Sequence, residues 1–124
     1  MFRSPGYKEA GAQMFTQMMG TLPAAEQERV KSSFANTPQH VLVSAMESMN
    51  NDALYGPDKI NVPVFAIIAK SPFWPADTEQ FLRGLAPDLE LQWWEGVGHF
   101  LMMEKPKQFN DAVIAFLNKK NLLK

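Results

Sequence analysis

The run Val62-Pro63-Val64-Phe65-Ala66-Ile67-Ile68-Ala69 is apolar throughout. Such an uninterrupted run is typical of a strand that is covered on both faces, as in a parallel sheet. Pro63 is expected at the start of the strand, where a missing N–H donor is tolerated. The run therefore predicts an α/β fold, because parallel strands are joined by helices that pack on the sheet.

The residues after this run predict one more strand and two helices. The second predicted strand is Leu89-Glu90-Leu91-Gln92-Trp93-Trp94. Asp77 or Thr78 is expected to cap the helix between the strands, and Pro106 is expected to start the closing helix. Residues 56–124 are therefore predicted to form a β-α-β-α unit with parallel strands.

The residues before this run predict three helices. Gly20 is expected to end the first helix, and the second follows Pro23. Thr37 is expected to cap the third helix, with Pro38 in its first turn. The buried stripe of the third helix is expected to contain Val41, Leu42, Ala45, Met46 and Met49. The helical part, residues 1–55, and the part that follows are predicted to form one domain of 124 residues.

The composition argues against several classes of protein. The 12 basic and 13 acidic residues give a net charge of -1, so no basic surface favours nucleic acid. No apolar run approaches the roughly 20 residues of a membrane span, and a cytoplasmic location is the default expectation. Cysteine is absent, which excludes disulfides and thiolate chemistry. The two histidines have no suitably spaced carboxylates, so we expect no metal and no other cofactor.

A single histidine lies in a glycine-flanked turn after the second predicted strand. The turn reads Gly96-Val97-Gly98-His99-Phe100 and leads into the closing helix. A histidine in this setting often serves as a general base, since its ordinary pKa lies near neutral pH. Hydrogen-bonded turn histidines without a catalytic role also occur, so the residues alone leave both interpretations open. The other histidine, His40, lies on a predicted helix and is expected to be solvated or structural.

Together, these segments resemble the C-terminal portion of the α/β-hydrolase fold superfamily. In that family a strand like Val62–Ala69 precedes a helix, a second strand, a Gly-x-Gly-His turn and an E-x-P-x-x-F helix. The last two patterns match Gly96–His99 and Glu104–Phe109 of this chain. The resemblance covers residues 60–117, and the Met-rich helices before them resemble the family's helical lid. It implies a partial α/β-hydrolase fold, with three lid-like helices before the last two strands.

The resemblance implies that His99 is the catalytic general base. The family's catalytic acid commonly follows the first of these strands, but here that loop reads Ala69-Lys70-Ser71-Pro72-Phe73-Trp74 and contains no carboxylate. Asp77 is the nearest candidate acid. The nucleophile elbow Gly-x-Ser-x-Gly is absent, and no glycine-rich oxyanion loop precedes a strand. We therefore expect a C-terminal fragment of a hydrolase-like protein that is not catalytically competent alone.

Two alternative functions are compatible with the sequence. In the first, the chain is half of a split, esterase-like hydrolase, and a partner chain supplies the nucleophile. In the second, it is a non-enzymatic module that binds apolar ligands or proteins through its Met-rich helices, because methionine adapts to loose apolar ligands. Ordinary helix packing also explains the methionines. The candidate lining residues of an apolar substrate channel are Met14, Met18, Met46, Met49, Phe73 and Trp74.

A homodimer is the predicted assembly. Two parallel strands alone leave a sheet edge with unpaired N–H and C=O groups, and such an edge is usually covered. We expect a second copy of the chain to cover the edge of the strand at Val62–Ala69. A lid helix of the same chain that folds over this edge is the alternative.

Overall fold

The computed structural model describes residues 2–54, 56 and 58–123. The chain divides into two compact units, Met1–Gly56 and Pro57–Lys124. Within the described residues, the first unit is helical and the second combines helices with a two-stranded parallel sheet. The predicted mixed α/β class is therefore confirmed, while the prediction of one domain stays a prediction.

The described residues of the first unit form three α-helices and a short 3₁₀ turn. The helices are α1 (Tyr7–Met18), α2 (Ala24–Ala35) and α3 (Gln39–Met49), and the 3₁₀ turn spans Asp52–Leu54. Gly20 follows the end of α1 with a φ of 55°, in the left-handed region that glycine adopts without steric cost. The predicted stop of the first helix at Gly20 is therefore confirmed.

The core of the first unit lies where α1 meets α2. Met19 and Leu22, in the connection between the two helices, are only 1% and 2% exposed. Gly11 on α1 is buried against Phe34 on α2, and a Cβ atom at Gly11 would lie 1.9 Å from the Phe34 ring. The Phe15 ring packs on the same phenylalanine, with the ring centroids 4.8 Å apart. A glycine is therefore required for this close approach of the two helices.

The predicted buried stripe of α3 is wrong. No described residue of α3 is buried, and Val41, Ala45 and Met49 are exposed on successive turns. The apolar side chains of α1 and α2 pack on each other, whereas polar contacts attach α3 to the N-terminal segment. The Gln39 amide donates to the Phe2 carbonyl at 2.9 Å, and the Arg3 guanidinium pairs with the Glu47 carboxylate.

The predicted N-terminal cap of α3 is also wrong. The Thr37 hydroxyl donates to the Ser33 carbonyl of α2 at 3.0 Å, so its side chain binds the end of the preceding helix. Pro38 occupies the N-cap position of α3, and no side chain among the described residues caps this helix. Threonine hydroxyls also bond carbonyls four residues earlier in a helix, and here that local bond replaces the cap.

The second unit has the predicted order of strands and helices, with one addition. Its elements are β1 (Val64–Ala69), α4 (Thr78–Leu85), β2 (Leu89–Trp94), α5 (Leu101–Glu104) and α6 (Pro106–Lys119). The strands pair in parallel, with Val64 opposite Leu89 and Ala69 opposite Trp94, so the predicted orientation is confirmed. The short helix α5 was not predicted, because a single turn carries too little periodicity to be recognised.

Helices α4 and α6 contact opposite faces of the sheet. The Phe65 ring of β1 stacks on Phe116 of α6, with ring centroids 5.1 Å apart, and Glu90 of β2 pairs with Lys119 at 2.7 Å. Trp93, three residues after Glu90, faces the other way and bonds to α4. Helices therefore contact both faces of the sheet, but all six residues of β1 remain half-buried. The prediction that both faces of the strand are fully covered is wrong.

Candidate active site

The carboxyl ends of β1 and β2 lie at one edge of the sheet, because the strands are parallel and Ala69 pairs with Trp94. The loop after β1 and the turn after β2 both begin at this edge. The Lys70 N–H donates to the Trp94 carbonyl at 2.7 Å, and the Lys70 ammonium pairs with the Glu95 carboxylate at 2.6 Å. These two contacts join the starts of the loops, so the residues that follow them form one candidate site.

His99 is exposed in the turn that follows β2. Gly96, at the start of this turn, has a φ of 70°, a conformation that side chains other than glycine adopt at a cost. The imidazole lies edge-on to the Phe100 ring, with centroids 5.2 Å apart and planes at 88°. Among the described residues, no side chain or carbonyl hydrogen-bonds the imidazole. Both ring nitrogens are therefore open to solvent or to a bound molecule.

Glu104 contacts the turn that carries His99. The Gly98 N–H donates to the Glu104 carboxylate, with the nitrogen 2.6 Å from the oxygen. The Glu104 N–H donates to the Phe100 carbonyl at 3.1 Å. In the sequence, Glu104 was recognised only as the first residue of the E-x-P-x-x-F pattern, and its contact with the turn was not predicted. A carboxylate six residues after a turn amide carries no signal that would have identified it.

The structure does not bring the candidate acid Asp77 into contact with His99. Asp77 is exposed and occupies the N-cap position of α4, but its side chain makes no capping hydrogen bond. The Thr78 hydroxyl donates to the Pro75 carbonyl at 2.7 Å and does not cap α4 either. Neither of the two predicted caps is therefore formed by a side chain. In the described part of the chain, no ion pair joins a carboxylate to His99.

The aromatic loop after β1 is held by hydrogen bonds at the same sheet edge. The Trp74 indole donates to the Ala69 carbonyl at 3.0 Å and lies edge-on to Trp93, with centroids 6.5 Å apart. The Phe73 N–H donates to the Ser71 hydroxyl at 3.2 Å, while the Phe73 ring is 93% exposed. The two candidate lining residues of the second unit thus flank the strand end, one of them anchored and the other free to contact a ligand.

A second polar contact, between Trp93 and Glu79, lies on the α4 face of the sheet. The Trp93 indole donates to the Glu79 carboxylate at 3.3 Å, and the Arg83 guanidinium pairs with it at 2.8 Å. Hydrogen bonds from Arg83, and secondly from Trp93, lower the pKa of Glu79. The pKa of Glu95 is also lowered, because its carboxylate accepts a hydrogen bond from Lys70. Both lowered pKa values favour the charged form of the carboxylate.

The four candidate lining methionines belong to the first unit. Met14 and Met18 are half-buried on α1, Met46 is half-buried on α3, and Met49 is 63% exposed. His40 is exposed on α3, as expected for a solvated histidine. The apolar surface of this unit therefore lies on α3 more than on the helices that pack together.

Neither a metal site nor a membrane-spanning helix is found in the described part of the chain. Among residues 2–54, 56 and 58–123, no group of three or more histidine or acidic side chains is placed to hold a metal ion. Within the same residues, no helix combines the length and apolarity needed to cross a bilayer. In comparisons with known proteins, the chain matches no family model, no curated protein and no solved structure.

Proposed function

We propose that the chain is the C-terminal portion of an α/β-hydrolase-like protein, with His99 as its general base. The proposal is supported by one observation, the exposed imidazole at the carboxyl end of the parallel strand β2. In open α/β sheets, ligands bind in the crevice beyond the carboxyl ends of the strands. A base at this position reaches a substrate there, and the motif order of residues 60–117 supports the family.

In the proposed chemistry, the His99 imidazole accepts the proton of a hydroxyl nucleophile and later donates it to the leaving group. These 124 residues contain no Gly-x-Ser-x-Gly elbow, so the nucleophile and the oxyanion donors come from outside them. Asp77 does not contact the imidazole, so the carboxylate that would hydrogen-bond the His99 ring during proton transfer also comes from outside these residues. The chain alone is therefore inactive in this proposal, and the substrate of the whole site stays open.

The inactivity of the isolated chain is tested with an activated ester such as p-nitrophenyl acetate. Exposed imidazoles react slowly with such esters, and the two exposed histidines provide a matched pair of variants. We expect the chain to show slow, non-saturable hydrolysis that falls to a similar extent in His99→Ala and in His40→Ala. Saturable turnover by the 124-residue chain that is lost only in His99→Ala would contradict the proposal.

A split enzyme is the second candidate function, and the open imidazole of His99 favours it. A partner polypeptide with the missing strands and a nucleophile elbow would complete the site. On adding such a partner, we expect ester hydrolysis that falls on the order of 10²–10⁴-fold in His99→Ala, the usual contribution of a general base. The His40→Ala variant is expected to keep full activity. Equal loss in both variants would contradict a catalytic role of His99.

A homodimer through the edge of β1 remains our proposal for the assembly. In the described part of the second unit, β1 pairs only with β2, and all its residues are half-buried. Val62, just before the strand, is 61% exposed. Light scattering after size exclusion is expected to give twice the mass of the chain. Val62→Glu is expected to shift this mass toward the monomer, and Val41→Glu on α3 serves as the control. A stable monomer at micromolar concentration would contradict the dimer.

The non-enzymatic alternative is favoured by the exposed apolar face of α3. Val41, Ala45 and Met49 recur every four residues and therefore share one face of the helix, and the first and last are 45% and 63% exposed. An apolar ligand or an amphipathic partner helix is the class of molecule that such a face would bind. Binding of an apolar fluorescent probe is expected to weaken in Met49→Gln and to stay unchanged in His99→Ala.

A further inference from the structure

One residue, Glu104, holds the backbone on both sides of His99. Its carboxylate accepts the Gly98 N–H at 2.6 Å, and its own N–H donates to the Phe100 carbonyl at 3.1 Å. We infer that Glu104 is a positioning residue for His99, acting through the backbone and not through the imidazole. This role rests on the proposed function, in which the direction of the His99 ring matters.

The two contacts of Glu104 differ in kind. The bond to Phe100 is made by the main chain of the single turn α5 and does not depend on the side chain. The bond to Gly98 is made by the carboxylate, and a hydrogen bond to a charged acceptor is shorter and stronger than one between neutral groups. Leu101, which is 4% exposed, anchors the first residue of α5. The carboxylate therefore adds a second fixed point, on the other side of the histidine.

The imidazole itself lacks another restraint of this strength. Among the described residues it makes no hydrogen bond, and its neighbour is the Phe100 ring at a centroid distance of 5.2 Å. The direction of the His99 side chain is consequently set by the backbone between residues 98 and 100. Loss of the carboxylate releases the Gly98 end of this segment, so the ring samples more positions relative to Phe100.

Nuclear magnetic resonance on the whole 124-residue chain tests this role without any enzymatic activity. The probes are hydrogen exchange of the Gly98 amide and the ring-proton shifts of His99, which respond to the edge-on Phe100 ring. In Glu104→Ala, we expect Gly98 exchange to rise on the order of tenfold and the His99 ring shifts to move toward those of a free histidine. Glu104→Gln keeps a neutral acceptor, so an intermediate change is expected. The exposed His40 provides an internal reference that should not move.

Glu95→Gln is the matched control, since it removes a nearby carboxylate that pairs with Lys70. It is expected to leave Gly98 and His99 unchanged. If Gly98 exchange is unchanged in both Glu104 variants, the hydrogen bond from Gly98 to the Glu104 carboxylate does not restrain the turn. Faster Gly98 exchange with unchanged His99 shifts would overturn the positioning role. If Glu104→Ala does not fold, the Gln variant decides alone. If Gly98 exchange and the His99 shifts respond to the Glu104 variants as expected, but no ester hydrolysis appears on adding a partner polypeptide with the nucleophile elbow, the result counts against the proposed function only.

Discussion

The two compact units are organised differently: the first is built around one close helix–helix contact, and the second also carries the candidate active site. In Met1–Gly56, the buried residues lie at the junction of α1 and α2, where Gly11 admits the Phe34 ring. In Pro57–Lys124, Phe116 is buried against β1, while the two loops at the carboxyl ends of the strands carry exposed side chains and are joined to each other by polar contacts. The first unit is specified by close contact. The second unit also places polar groups at one edge, and the candidate site lies there.

The organisation of the second unit explains why its site is held by the backbone. Parallel strands direct their carboxyl ends to the same edge, so the two loops that follow them start side by side. His99, Phe73 and Trp74 all lie in those loops, and loops at such edges commonly carry function on a rigid scaffold. In the first unit, the exposed face of α3 is the corresponding open surface, and it includes the large apolar side chains Val41 and Met49.

The largest expected effect tests the core of the second unit. Phe116→Ala removes a ring that is 6% exposed and stacked on Phe65. We expect a loss of about 3–5 kcal/mol in the free energy of unfolding, the usual cost of replacing a buried phenylalanine by alanine. Tryptophan fluorescence during urea unfolding measures it, because all three tryptophans lie in this unit.

Ile114→Ala on the same helix is the matched control, since Ile114 is 50% exposed. Substitutions at such surface positions usually change the free energy of unfolding by no more than about 0.5 kcal/mol. Equal losses in the two variants would mean that α6 does not pack through Phe116, and the stacked pair would no longer define the core of this unit.

The next effect in size tests the close contact of the first unit. In Gly11→Ala, the new Cβ atom would lie 1.9 Å from the Phe34 ring, so the ring or the helix has to move. Overpacking of this kind costs about 1–3 kcal/mol in the free energy of unfolding. The loss of helical circular dichroism on heating or in urea measures it.

Gly84→Ala is the control for this substitution, because Gly84 lies in α4 and a methyl group there would meet no described atom within 4 Å. Alanine is preferred to glycine in a helix, so this variant is expected to gain roughly 0.5–1 kcal/mol. A gain of stability in both variants would show that the α1–α2 junction is looser than the first unit's core implies.

The sequence predicted the second unit better than the first, for a physical reason. A continuous apolar strand such as β1 and a Pro at the start of α6 are strong local signals, and both elements were found where they were expected. The burial of α3 depends instead on which neighbours reach it. Its apolar residues have helical spacing, but the apolar side chains of α1 and α2 pack on each other. The spacing of residues within one helix cannot show which helices pack together.

Part of the candidate site was predictable and part was not. His99 was identifiable from its glycine-flanked turn, and the parallel order of the strands placed that turn at the carboxyl edge. The contacts of Glu104 with residues 98 and 100 depend on a single turn of helix that the sequence does not reveal. Glu79 was missed for a different reason, because its partner Trp93 is fourteen residues away in the chain.

The smallest expected effect concerns the polar contacts of the second unit and their response to acid. Hydrogen bonds from Arg83 and Trp93 lower the pKa of Glu79 below its ordinary value of 4.5. A lowered pKa in the folded state means that these bonds stabilise the unit fully above pH 4.5. Their contribution is lost as the pH falls through the lowered pKa. We therefore expect the Trp93 indole N–H resonance to move in that acidic range, as its acceptor becomes protonated.

The neighbouring indoles supply the controls for this titration. Trp94 donates to the Gln92 amide at 3.0 Å and Trp74 donates to the Ala69 carbonyl, and neither acceptor titrates. Their resonances are expected to stay in place while that of Trp93 moves, and Glu79→Gln is expected to abolish the movement. If all three indoles shift together, acid loosens the whole unit and the Glu79 contact is not a separate polar element. If the Trp93 resonance does not shift, its indole does not bond the Glu79 carboxylate. The α4 face of the sheet is then held by packing, as the first unit is.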